Sequence, residues 1–168
     1  IHFVIPFPSF IVFTITLGTI MGVKNARAAV KYDGLTMDRE CVSFFASYYK
    51  TIYMSALSKP TLFSEGVKNV SDTRYFWESV SESGETYGEL LESGVETYIK
   101  QMMVAVYLYD NYASFSAKDK EKVESAVSEV LAFKADGNRD TFNSLVEKYG
   151  FSYDSFVDAA EMLYKYST

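Results

Sequence analysis

The sequence is poor in the two side chains on which much enzyme chemistry relies. Its one histidine is His2, inside an oily N-terminal run, so the chain beyond it carries no imidazole. That removes Ser-His-Asp and Cys-His catalysis and histidine metal sites from the rest of the chain. Its one cysteine is Cys41, which excludes an internal disulfide and a cysteine-built metal cluster. Secreted proteins often use disulfides but need not, so Cys41 leaves the compartment open. No apolar, small-residue run of the kind that precedes a lipidated cysteine leads up to it. With Phe44 and Phe45 one turn on, Cys41 reads as a small buried hydrophobe.

Other signatures are missing too. There is no Gly-rich phosphate loop, nucleophile elbow or calcium loop. Runs of Lys and Arg are also absent. The chain has 16 bases against 22 acids, and two of the bases, Lys24 and Arg27, fall in residues 1–28, which hold no acid. The acidic body argues against nucleic-acid binding, whose affinity rests on neutralising phosphates. No cofactor and no metal are expected.

A length of 168 residues fits one domain with a leading segment. "IHFVIPFPSFIVFTITLGTIMG" carries no charge over 22 residues, although Pro6 and Pro8 make its first third a poor helix. "ARA" at 26–28 matches the small-x-small pattern of a signal-peptidase site. Three readings of residues 1–28 stay open: a signal peptide cleaved after Ala28, a retained membrane anchor, and a buried core helix. The first two place residues 29–168 outside the cytoplasm, secreted or held at the outer face of the membrane. If uncleaved, residues 1–28 would make the membrane a partner.

The body reads as helical. "AVKYDGLT" suggests a short strand or extended arm turning at Asp33-Gly34, with Thr36 as the cap of the next helix. Apolar residues from Met37 through Cys41, Phe45, Tyr49, Ile52 and Leu57 recur at spacings of three and four, which predicts a helix over about 37–57. Residues 58–84 lack a long period and suggest a loop with one short helix around "TRYFWESV", pinned by Tyr75, Phe76 and Trp77. From Thr86 to about Asn111 a broad stripe predicts the central helix. Ser116 caps a helix running to about Ala135, "RDTFNSLVEKYG" a short one, and Ser152 caps the last. The fold class is all-α, with about five helices and one short N-terminal strand or arm.

This order of signals resembles the N-terminal chaperone domain of SurA/PrsA-like parvulin-type foldases, closest to the lipoprotein-like or membrane-anchored forms of Gram-positive gut bacteria. The opening pattern V-x-x-x-G-x-T is Val30 to Thr36, with Gly34 for the turn. The helix start with an apolar residue, Ser and then polar residues is Phe115-Ser116 through Glu121. The closing signature is Phe142, then Tyr149-Gly150-Phe151-Ser152. The resemblance covers about 29–168 and implies a chaperone-like domain that binds unfolded or exported polypeptides. The family usually carries a parvulin prolyl isomerase domain as well. This chain has neither the length nor the histidines for one, so isomerase activity is not carried over to these residues.

Three acidic groups bear on possible chemistry. Asp33, Asp38 and Glu40 suggest a cation site, against the commoner pattern of a turn aspartate and first-turn acids. Asp119, Glu121 and Glu124 read as a solvated face. Glu92 and Glu96, with Glu89 nearby, share a helix face, but no nucleophile or electrophile supports an acid–base pair. The excess is aromatic: 17% of residues, including 14 tyrosines. Tyrosine suits both a core rim and a binding surface. Tyr48, Tyr49, Met102, Met103, Tyr107 and Tyr109 therefore suggest a peptide-binding groove, with Phe76 and Trp77 on its rim, against the reading that each simply completes a small core. An acidic surface would favour basic clients. The competing readings are a membrane-tethered adaptor with one specific partner and the non-catalytic part of a larger foldase.

Overall fold

The computed structural model describes residues 30–32, 35–59, 66–67 and 69–168. Two short strands come first, β1 (Val30–Tyr32) and β2 (Leu35–Met37), paired antiparallel with Val30 opposite Met37 and Lys31 opposite Thr36. Period-two alternation puts Val30 and Met37 in the core and Lys31 and Thr36 in solvent. The expected Asp33-Gly34 turn lies outside the described residues.

Helix α1 (Arg39–Leu57) follows at once. Thr36 is not its cap, because the strand pairing uses it. Asp38 takes that role, accepting from the amides of Glu40 at 2.8 Å and Cys41 at 3.0 Å. Partial burial raises the Asp38 pKa, but the hydrogen bonds from Cys41 and Glu40 outweigh it and hold the carboxyl below its ordinary range. The remaining helices are α2 (Arg74–Glu78), α3 (Tyr87–Tyr112), α4 (Ala117–Ala135), α5 (Arg139–Val146) and α6 (Tyr153–Ser167). Thr86 with Glu89 and Ser116 with Asp119 form reciprocal caps at the starts of α3 and α4. The described residues thus form an all-helical domain of six α-helices with a small two-stranded hairpin.

Two apolar clusters hold the helices. The larger lies between the hairpin, α1, α2, α3 and α6, and centres on Phe45, Leu91, Val95, Ile99 and Met102. The smaller joins α4, α5 and α6 through Val123, Val127, Phe142 and Tyr153. Burying a side chain of this size stabilises the fold by about 1.5–3 kcal/mol. Helix α6 serves both clusters, giving Ala159 to the first and Tyr153 to the second.

The turn before α6 fastens the two parts. Gly150 sits at φ 82°, a conformation open to glycine, and faces Ser43 of α1. Phe151 then meets Phe44 edge-on at 5.4 Å, and the Ser152 hydroxyl donates to Glu40 at 2.5 Å.

The structure corrects the expectation of the membrane as a partner. No helix among the described residues is long and apolar enough to cross a bilayer. With its 26 residues α3 has the length, but Glu89, Glu92, Glu96, Lys100 and Asp110 interrupt it. Residues 1–28, to which that expectation was attached, lie outside the described residues.

Candidate functional site

Three helices bring tyrosines together along one seam. Tyr48, Tyr49 and Tyr53 belong to α1, Tyr98 to α3 and Tyr166 to α6. Tyr98 is the hub: its ring lies 5.4 Å from Tyr49, 6.4 Å from Tyr48 and 6.0 Å from Tyr166. Phe44 extends the row by stacking on Tyr48 at 6.0 Å, and Tyr53 by stacking on Tyr49 at 6.2 Å. Gly94 makes the close approach possible, since the Tyr49 ring occupies the space a Cβ at 94 would need. The Tyr98 hydroxyl is pushed up to about 12, first by burial and then by Tyr48 and Tyr166, so it remains protonated.

The seam is part core and part surface. Tyr98 and Tyr49 are half-buried, whereas Tyr48 and Tyr166 stay 40% and 41% exposed. Ile52, one turn beyond Tyr48 on the same side of α1, is 46% exposed. Aromatic rings anchored at one edge and wet at the other make a preformed apolar contact surface.

The other residues singled out from the sequence lie elsewhere. Met102 and Met103 are in the core, 0% and 5% exposed, and present no free surface. Phe76 and Trp77 are also buried, Phe76 stacking on Tyr87 at 4.9 Å. The Trp77 indole donates to Asp72 at 2.8 Å, and Asp72 pairs with Lys50 of α1 at 2.5 Å. Lys50 also sits 5.4 Å from the centre of the Trp77 ring. These two aromatics pin α2 as expected, but Tyr75 beside them points into solvent. Tyr107 is exposed near the C-terminal end of α3, and Tyr109 is half-buried with its hydroxyl 3.4 Å from the Ser114 carbonyl. Of the eight named residues, Tyr48 and Tyr49 alone belong to the seam.

Most of these acidic side chains have structural partners. Glu40 accepts from Ser152 and Asp38 caps α1, while Asp33 lies outside the described residues. Among the described residues no group of three His, Cys, Asp or Glu side chains is placed to hold a metal ion. Glu96 pairs with Lys100 at 2.5 Å, and Glu89 caps α3. Burial, then the nearby Glu96 and Glu89, raises the Glu92 pKa, but no nucleophile accompanies it. Asp119, expected on a solvated face, accepts from Tyr164 at 2.5 Å and pairs with Lys122 at 3.2 Å, tying α4 to α6.

Site reasoning from the sequence missed Phe44, Tyr53, Tyr98 and Tyr166 of the seam, and Gly94 beneath it. A glycine inside an otherwise strong helical pattern was the available signal, since it marks a close approach. Compared with models of protein families, with curated proteins and with solved structures, the chain matches none.

Proposed function

We propose that the domain is a chaperone-like binding module, outside the cytoplasm, for unfolded or exported polypeptides. It holds aliphatic and aromatic segments on the tyrosine seam, by burial and without chemistry of its own. The observation that carries this is the hub arrangement: Tyr48 and Tyr166 both lean on Tyr98 and both keep an open face. A rigid, amphipathic tyrosine surface binds with little loss of side-chain entropy and suits varied partners. Two further features support the reading. The order of signals in the sequence resembles that of SurA/PrsA-like chaperone domains, and Ala26-Arg27-Ala28 after an uncharged run matches the small-x-small pattern of a signal-peptidase site.

The test is light scattering from a reduced, unfolded model protein, with and without the purified chain. Near-stoichiometric chain suppresses aggregation, and Tyr48→Ser with Ile52→Ser and Tyr166→Ser removes most of that effect. Tyr107→Ser, exposed but off the seam, leaves it intact. No suppression at a several-fold excess sinks the chaperone reading and leaves an adaptor with one specific partner.

A further inference from the structure

The tyrosine seam lies on an uncharged patch of an acidic molecule. Between Cys41 and Ser58 the chain has one charged residue, Lys50, and the structure turns it away to Asp72 and Trp77. The solvent-exposed positions over the last turns of α1 are Tyr48, Thr51, Ile52, Ser55 and Ala56, and none of them is Lys, Arg, His, Asp or Glu. On α3, Gly94 and Tyr98 meet Tyr49, and the helix carries one charge between Thr97 and Tyr109, Lys100, which is paired with Glu96 at 2.5 Å. On α6 the charge next to Tyr166 is Lys165, which is held by Asp110 and Glu161, each at 2.8 Å. Each of these three bordering cations is therefore neutralised by a carboxylate.

Exposed helix faces of soluble domains ordinarily alternate charges, which keep them hydrated. A face without them does not reject an uncharged segment, and its exposed α1 positions hold no carboxylate to attract a basic one. Resting on the chaperone reading, we infer that the seam selects uncharged segments, in which aliphatic or aromatic residues are interspersed with small polar ones. The acidity of the molecule acts elsewhere, on solubility and on the rate of encounter. Basic clients are not its preferred class, although the overall charge alone would suggest them.

The test is fluorescence anisotropy of the full chain with three short labelled peptides that share one Tyr/Leu/Ile core, flanked by Ser, by Lys or by Glu. The Ser-flanked peptide binds at least as tightly as the Lys-flanked one, and its Kd changes by less than about twofold from low to high salt. Thr51→Glu with Ser55→Glu, both at exposed positions, weakens it by about tenfold or more while the helical circular dichroism is unchanged. Lys-flanked binding that is about tenfold tighter at low salt and collapses at high salt overturns the inference but leaves the chaperone reading standing. Binding of none of the three removes both.

Discussion

The ring of Tyr49 lies across Gly94, filling the space in which any other residue at 94 would hold its Cβ. That Cβ would overlap the Tyr49 hydroxyl and come within 2.7 Å of Cε1 and 2.8 Å of Cζ. A glycine inside a helix costs about 1 kcal/mol against alanine, so its place in α3 reflects the packing of α1. Tyr53 and Tyr98 flank the ring, which leaves it little room to move aside.

Gly94→Ala is expected to destabilise the fold by about 1–3 kcal/mol, the usual range for overpacking. In a Tyr49→Ala background the same substitution should stabilise by about 1 kcal/mol, because the overlap is gone and helix propensity remains. Urea denaturation of the four proteins in a double-mutant cycle reads the reversal of sign. Equal effects in both backgrounds would mean that the ring does not rest on Gly94.

Asp72 joins the Trp77 indole to Lys50, so Asp72→Ala strands a donor on a nearly buried ring. A loss of about 1–3 kcal/mol is expected, with a shift in the emission of this single tryptophan. Partial burial raises the Asp72 pKa, but hydrogen bonds from Lys50 and Trp77 outweigh it and hold the carboxyl below its ordinary range. The contribution is therefore complete above the unfolded value and is lost as pH falls through the folded one. Tryptophan fluorescence across an acid titration, wild type against Asp72→Ala, tests this: the stability difference should shrink below about pH 4.

Glu92 behaves in the opposite sense. Burial, then Glu96 and Glu89, raises its folded pKa, so its carboxylate costs stability at neutral pH. That cost is relieved as pH falls through the raised value toward the unfolded one. Glu92→Gln should stabilise by about 0.2–0.5 kcal/mol at pH 7, the scale of a like-charge pair on a helix. The gain should fade on acidification, and a gain independent of pH would exclude the charge as its cause.

Cys41 is fully buried, its thiol 3.7 Å from the Ser155 carbonyl, and burial pushes the thiol pKa up. A thiol reagent should label it only as fast as the fold opens, with the rate rising in step with urea-driven unfolding. Rapid labelling of the native chain would contradict this packing.

Much of the architecture was legible because it rests on local periodicity. The stripes from Cys41 to Leu57 and from Leu90 to Tyr109, and the caps at Ser116 and Ser152, correspond to α1, α3, α4 and α6. The cap of α1 was misplaced because the partner strand decides whether Thr36 is free, and pairing is not a local property. The site was legible only in part. A wide stripe does not reveal which of its members face the centre, so Met102 and Met103 resembled a groove lining although they fill the core. Tyr98 and Tyr166 lie far apart in sequence and become a site only when α3 and α6 are brought beside α1.

Both apolar clusters draw on α6, and of the six helices α6 is synthesised after the others. A ribosome releasing this chain from its N-terminus therefore presents α1, α3, α4 and α5 with their inner faces open until Tyr153–Ser167 has emerged. The Ser155 carbonyl reaches Cys41 across 114 positions, so closure is a long-range event that waits for α6. Until then this domain is itself a polypeptide with aromatic surface to shield.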